Sequence, residues 1–203
     1  MKDLKVIYIL LSALLLAFTS CEDTVEVGEY DNWQDKNIAF IDSIATVARA
    51  NSDSKWKVIP AMGIDDSKEH SNEYYVYCYV LQAGDGTAHP AYTDTVKVNY
   101  SGRLIPSKSY PKGYIFDSTY DGELEPEFDV PVELGLAGTV RGFYTAVQQM
   151  VAGTTPTDGD IWRVYIPANL AYGADSSTGI PAYSALIFEI NLVSFRAVGT
   201  KKE

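Results

Sequence analysis

Hydrophobic positions along the chain follow two rhythms in turn. Ile38, Ile41, Ala45 and Ala48 recur at i, i+3, i+7 and i+10, with Phe40, Ile44 and Val47 as an adjacent stripe. That spacing predicts an amphipathic helix over residues 32–50. Asp31 followed three residues later by Gln34 resembles a capping box at its start, and Asn51-Ser52-Asp53-Ser54 ends it. Lys55–Pro60 has the length of a short strand, and the polar stretch 63–72 reads as a loop. From Glu73 onward the period changes to two. Tyr74–Leu81 alternates, and Thr95–Tyr100 puts Val96, Val98 and Tyr100 on one face. Ile161–Ile166 does the same with Trp162, Val164 and Ile166. Ala185–Phe195 aligns Leu186, Phe188, Ile190 and Leu192 and leaves Glu189 and Asn191 opposite. A single helical pattern interrupts these strands. Arg141–Val151 spaces Phe143, Ala146, Val147 and Met150 at i, i+3, i+4 and i+7, with Gly153 as the expected stop. Short antiparallel strands wrapped on one helix predict an α+β class, not a doubly wound parallel sheet.

The first residues have another character. Lys2 and Lys5 precede the apolar run Val6–Phe18, which is too short to span a bilayer comfortably and ends at Thr19-Ser20-Cys21. Residues 1–20 are therefore expected to be a signal peptide. The segment before Cys21 resembles a bacterial lipobox, in which the cysteine is lipidated and becomes the first residue after cleavage. Glu22-Asp23 resembles the acidic export tags of Bacteroidota surface lipoproteins. Residues 21–72 then read as a tether with an N-terminal helical extension, and residues 73–198 as the functional domain. The expectation is an exported protein, lipid-anchored at Cys21 in the cell envelope and on this resemblance placed at the outer membrane surface. With Cys21 lipidated, Cys78 has no intramolecular partner and is expected to be a small core residue.

Composition narrows the chemistry. The chain has 203 residues, with 16 Lys+Arg against 27 Asp+Glu and a net charge of −11. That balance argues against nucleic acid as a partner, which calls for basic patches. Two cysteines and two histidines (His70 and His89) cannot build a disulfide framework or a structural zinc site, and they leave little for a histidine-centred mechanism. Gly84-Asp85-Gly86 is a turn, because position 89 is His where a dinucleotide fingerprint needs Gly. No Gly-x-Ser-x-Gly elbow is present, and Asp121–Asp129 lacks the ligand spacing of a calcium loop. Neither a metal nor a cofactor is expected. The 15 tyrosines are a bias that none of these readings explains.

Taken in order, the C-terminal motifs resemble the FKBP-type peptidyl-prolyl isomerases. Val80-Leu81-Gln82-Ala83-Gly84-Asp85-Gly86 is similar to the family's opening strand and turn, and Val96-Lys97-Val98-Asn99-Tyr100-Ser101-Gly102 to its Val-x-Val-x-Tyr-x-Gly strand. Ile115-Phe116-Asp117-Ser118-Thr119 resembles its Phe-Asp-Ser-Ser, and Val140-Arg141-Gly142-Phe143 stands where the family has Ile/Val-x-Gly-Trp. Ile166-Pro167, Leu170-Ala171-Tyr172-Gly173, Ile180-Pro181 and Leu186-Ile187-Phe188-Glu189 follow in the family's sequence. The resemblance implies an antiparallel half-barrel sheet wrapped around one short helix, with a proline-binding pocket between them. It carries Tyr100, Phe116, Val140, Phe143, Ile180 and Phe188 onto substrate-binding positions, with Phe143 as the floor. It carries Asp117 and Tyr172 onto catalytic positions. No arginine follows Asp117 within Tyr120-Asp121-Gly122-Glu123, so hydroxyl or amide donors are its expected partners.

The implied activity is cis–trans isomerisation of Xaa–Pro bonds in exported or envelope proteins, with proline-containing polypeptides as clients and FK506-like macrolides as ligands. Such chemistry needs no nucleophile, metal or cofactor, in keeping with the scarcity of His and Cys. The alternative is a non-catalytic binding or chaperone module of the same fold, which Phe143 in place of Trp would favour. A further alternative treats residues 32–60 as a partner-docking element, weighed against packing on the chain's own domain.

Overall fold

A computed structural model describes residues 28–197 other than 66, 156, 177 and 178; the expected signal peptide and Cys21 lie outside the described residues. The elements are α1 (Trp33–Ala50), β1 (Trp56–Pro60), β2 (Tyr75–Gln82), β3 (Thr95–Leu104), β4 (Ile115–Ser118), β5 (Val132–Gly135), α2 (Arg141–Val147), β6 (Ile161–Ile166) and β7 (Leu186–Arg196). All strand pairs are antiparallel, in the order β1-β2-β6-β7-β3-β4, with β5 pairing the first half of β3 beside β4. This is the expected α+β arrangement. β1 lies within the stretch read as an extension, yet it pairs along its whole length with β2.

Strand alternation divides the molecule into two packed layers on either side of the sheet. One face carries Trp162, Val164 and Ile166, in register with Ile190, Phe188 and Leu186. α2 lies against this face, burying Phe143, Ala146 and Val147. A Cβ on Gly142 would stand 2.2 Å from Ile166 Cγ2, so only glycine lets the helix sit this close to the sheet. α2 stops at Val147, short of the expected Val151. The chain continues as tighter i→i−3 turns, in which Gln149 and Met150 donate their N–H groups to the carbonyls of Ala146 and Val147. Gly153 is not the cap. Its Cβ would lie 2.3 Å from backbone atoms of Asp158 and Gly159, so its smallness serves a close crossing of two chain segments.

The other face accounts for part of the tyrosine surplus. Along β2, Val76, Cys78 and Val80 alternate with Tyr75, Tyr77 and Tyr79, and the tyrosines meet α1 and its neighbours. Phe40 of α1 packs on Tyr165 at 6.1 Å, Trp56 stacks on Tyr165 at 5.8 Å and meets Tyr79 edge-on at 5.1 Å. The Arg49 guanidinium stands over Tyr75 and Tyr77 at 5.5 and 5.8 Å. The N-terminal helix thus packs on its own domain. Cys78 is fully buried, and burial pushes its thiol well above the ordinary range, as fits a core residue and not a nucleophile.

α1 is helical over the expected span, but its buried stripe differs. Trp33, Asn37, Ile41, Ala45 and Ala48 face inward, while Ile38 and Val47 are each 53% exposed. Trp33 and Asn37 are drawn in by distant partners: Trp33 Nε1 donates to Ser184 Oγ at 2.8 Å, and the Ala185 N–H donates to Asn37 Oδ1 at 2.8 Å. The capping box does not form. Asn32 is the N-cap in a left-handed conformation (φ 52) with no side-chain cap, and the Asp31 carboxylate accepts the Gly28 N–H instead. At the far end Asn51 is also left-handed (φ 41), and its side chain both donates to and accepts from the Trp56 backbone, turning the helix directly into β1.

Ahead of the helix, Glu29 reaches the β3–β4 connection. Its carboxylate accepts the Ser109 N–H at 3.0 Å and the Ser109 hydroxyl at 2.7 Å. Hydrogen bonds from Ser107 and Ser109 hold its pKa at about 2, down from the ordinary 4.5. A depressed pKa means that the contribution is complete above the ordinary value and disappears as pH falls towards 2. Glu29→Gln is therefore expected to melt below the parent at neutral pH, with the gap closing on acidification through that window. Melting curves across the range check this, and a gap independent of pH would contradict it. Among the described residues no helix is long and apolar enough to cross a membrane.

Candidate functional site

β3, β4, β5, β7 and α2 converge on a cavity of about 280 Å³. Seven of the eight residues singled out in the sequence line it: Tyr100, Phe116, Asp117, Val140, Phe143, Tyr172 and Phe188. Each arrives by a local rule. Tyr100 and Phe188 sit on neighbouring strands, with Tyr100 opposite Ile190 and Gly102 opposite Phe188. Phe143 is the first large apolar residue of α2 and, at 3% exposure, forms the floor. Four rings enclose the space. Phe143 meets Phe188 edge-on at 5.3 Å, Phe116 meets Phe188 at 5.7 Å, and Tyr100 lies 6.1 Å from both Phe143 and Phe188. Ile180 is buried at 6% exposure in the main core and is not among the lining residues.

Gly102 makes the cage possible. A Cβ there would fall 2.6 Å from Phe188 Cε1 and 2.7 Å from Phe116 Cζ, so the two rings occupy the space a side chain would fill.

The polar groups are few and converge at the rim. Tyr100 donates its hydroxyl to Asp117 Oδ2 at 2.5 Å, supplying the hydroxyl partner expected for this carboxylate. Burial, reinforced by the hydrogen bond to Asp117, pushes the Tyr100 phenol well above its ordinary value, so it stays a donor at every physiological pH. Thr119 continues the β3–β4 pairing beyond Ser118: its N–H donates to the Tyr100 carbonyl at 2.9 Å, and its hydroxyl oxygen accepts the Tyr100 N–H at 3.0 Å. Asp117 and Tyr100 are thereby locked in register. Tyr172, 38% exposed, presents its ring from the β6–β7 connection.

Leu134, Gly138 and Thr139 complete the lining and were not legible in the sequence. Leu134 carries only an ordinary strand signal, and Gly138 and Thr139 contribute through the path of the 3-10 turn Leu136–Gly138 that delivers the chain to α2. A second cavity of about 430 Å³ lies on the far side of the β6–β7 connection, against α1, and holds none of these site residues. Among the described residues no group of three or more His, Cys, Asp and Glu is placed to hold a metal ion.

Residues 86–193, more than half the chain, match the family described as FKBP-type peptidyl-prolyl cis-trans isomerase, and they contain every residue of the cage. The chain belongs to the FKBP family. It is 37% identical over 118 residues to the peptidyl-prolyl cis-trans isomerase Mip of Coxiella burnetii, which covers 58% of this chain and 43% of that protein. It is 34% identical over 126 residues to the FKBP-type 22 kDa peptidyl-prolyl cis-trans isomerase of Escherichia coli, covering 61% and 52% respectively. The chain thus spans about half the length of these curated relatives. Among solved FKBP structures, that of FkpA from Escherichia coli superimposes with a TM-score of 0.52 at 25% identity, covering 82% of this chain and 64% of that one. The matched stretch begins after β2, so α1, β1 and most of the tyrosine layer lie ahead of it.

Proposed function

We propose that this FKBP chain catalyses cis–trans isomerisation of Xaa–Pro bonds, with the four-ring cage receiving the proline and Asp117 and Tyr172 acting at its rim. The observation that carries this reading is the cage itself: a small apolar cavity walled by Tyr100, Phe116, Phe143 and Phe188, with one carboxylate–phenol pair at its mouth. Rotation about an Xaa–Pro bond crosses a barrier of about 18–20 kcal/mol because the amide loses its resonance when twisted. The twisted amide has a less polarised carbonyl than the planar one, so a dry aromatic wall penalises the planar form more. Catalysis follows from that difference in binding. No bond is made or broken except the partial π bond of the amide, so no nucleophile is called for.

Two groups give direction to this solvent-like effect. Tyr172, which lines the cavity, is proposed to donate its hydroxyl to a client carbonyl and hold the peptide while the proline turns. Tyr100 fixes the Asp117 carboxylate at the rim, where its charge faces the rotating amide. Both substitutions Tyr172→Phe and Asp117→Ala are expected to lower kcat/KM by about tenfold, the scale of a lost hydrogen bond to a charged or polarised group. The check is a protease-coupled assay on an Xaa-Pro peptide, with circular dichroism to show that the fold survives. Unchanged rates in both variants would overturn the assignment of the two residues.

The same reading includes location and partners. Cys21, behind the apolar run Val6–Phe18, is the proposed lipid attachment site, making the protein an exported one held in the envelope. A relative from Legionella longbeachae, 37% identical over 118 residues, is named an outer membrane protein, which supports the envelope assignment. Proline-containing polypeptides in that compartment are the proposed clients. FK506-like macrolides, which present a ring to the same cage, are proposed as ligands.

A further inference from the structure

The segment that opens α1 is wired to the loop that carries Tyr172. Trp33 Nε1 donates to Ser184 Oγ at 2.8 Å, and that hydroxyl donates in turn to the Pro181 carbonyl at 2.6 Å. One helical turn later, Asn37 Oδ1 accepts the Ala185 N–H at 2.8 Å while its Nδ2 donates to the Trp33 carbonyl at 2.7 Å. All four residues are buried, so the bonds between α1 and the loop are shielded from water and neither can be exchanged for a solvent partner without cost.

Residues 184 and 185 do not touch the proline cage, but their neighbour closes the loop that does. Tyr183 adopts a left-handed conformation (φ 60) that a tyrosine rarely takes, and its N–H donates to the Gly173 carbonyl at 2.7 Å. Gly173 is bonded directly to Tyr172, and its own N–H donates to the Ala168 carbonyl at 2.8 Å. A continuous chain of bonds therefore runs from Trp33 and Asn37 through Ser184 and Ala185 to Tyr183, and from there to the peptide unit beside Tyr172. The helix end is itself held in place. Glu29 is bonded to Ser109 of the β3–β4 connection, and Tyr30 packs edge-on against Trp33 at 4.9 Å.

We infer that Trp33 and Asn37 are positioning residues for the isomerase site: by pinning residues 184 and 185 they hold the β6–β7 loop in the conformation that presents Tyr172 to the proline cage. The inference rests on the isomerase reading and adds a regulator of it that lies outside the family-matched stretch. The strained φ of Tyr183 gives the physical reason. A left-handed tyrosine persists only where its surroundings over-determine it, and the two bonds from α1 supply that constraint. Without them the loop relaxes, the Tyr183–Gly173 bond opens, and the Tyr172 hydroxyl leaves the position from which it meets a client carbonyl. Displacements of this order near a reacting group cost far more than the energy of the bond removed.

The test uses the full chain with Trp33→Phe, which removes the indole donor but keeps an aromatic filler, and Ser184→Ala, which removes the same link from the loop side together with the bond to the Pro181 carbonyl. Two measurements are made on each: kcat/KM on an Xaa-Pro peptide, and amide hydrogen exchange at Gly173 and Tyr183 with Ile190 of β7 as the core reference. The expected result is a fall in kcat/KM of about fivefold to tenfold in each variant, with the double variant no worse than Ser184→Ala alone. Exchange at Gly173 and Tyr183 is expected to rise about tenfold while Ile190 is unchanged. The inference is overturned if the loop amides exchange as in the parent, if Ile190 rises by the same factor as the loop, or if a loosened loop leaves kcat/KM at the parental value. A parent protein that does not accelerate isomerisation overturns the isomerase reading instead, and that is seen before any variant is compared.

Discussion

Gly102→Ala is expected to remove nearly all of the isomerase activity while leaving a folded protein. The added methyl would stand 2.6 Å from Phe188 Cε1 and 2.7 Å from Phe116 Cζ, distances no pair of carbons tolerates. Neither ring is the loose end of a flexible chain. Phe188 is 6% exposed and packed edge-on against both Phe116 and Phe143, so relief comes only by driving a ring into the cavity. Overpacking of this kind costs about 1–3 kcal/mol, which a domain of this size survives. The cavity, at about 280 Å³, has no such reserve. Loss of the ring geometry is expected to lower kcat/KM by about a hundredfold, and macrolide or peptide binding should weaken in parallel. Calorimetry alongside the isomerase assay checks both halves. Activity within twofold of the parent would mean that the spacing of Phe116 and Phe188 does not define the site.

Phe143→Ala is expected to give the largest loss of stability of any single change at the site. Phe143 is at once the floor of the cage and a member of the main core, meeting Phe188 at 5.3 Å and Tyr100 at 6.1 Å while α2 holds it against the sheet. Truncating a buried phenylalanine costs about 3–5 kcal/mol, through lost transfer energy and the hole left behind. For a domain of this length that corresponds to a drop of roughly 10 °C in melting temperature. Phe143→Leu keeps most of the volume and should lose less than half as much. Thermal melts of the two variants check the ranking. A drop in the alanine variant smaller than that in the leucine variant would contradict the placement of Phe143 in the core.

How much of this was legible beforehand divides along physical lines. The strands and the inner face of α2 could be read because a buried face repeats at the period of its own element, as in Trp162, Val164 and Ile166. The face of α1 could not be read in the same way. Trp33 and Asn37 turn inward because Ser184 and Ala185, about 150 residues further on, offer them hydrogen bonds. Local periodicity, which counted Ile38 and Val47 instead, contains no trace of such a partner. The tyrosines of β2 were visible as a surplus but acquired a meaning only when α1 was found packed across them.

The cage divides similarly. Its aromatic members carry recognisable side chains in an ordered series of motifs, and the structure brings them together. Gly138 and Thr139 carry none, since the chain path alone takes them to the cavity. Ile180 stands in a motif yet points its side chain into the core. The hydroxyl partner of Asp117 lies not among the residues that follow it but 17 positions earlier, at Tyr100 on the strand beside it. Antiparallel pairing of Ser101 with Ser118 and of Gly102 with Asp117 makes them neighbours, and strand register has no signature in composition.

The central claim is that the cage accelerates rotation about an Xaa–Pro bond, and the most direct measurement is magnetisation-exchange NMR on an Ala-Pro peptide at equilibrium, with the protein present in catalytic amounts. The reading predicts cis–trans exchange much faster than that of the peptide alone, reduced in Tyr172→Phe and Asp117→Ala and nearly lost in Gly102→Ala. Exchange at the uncatalysed rate in the presence of the folded parent protein would contradict it.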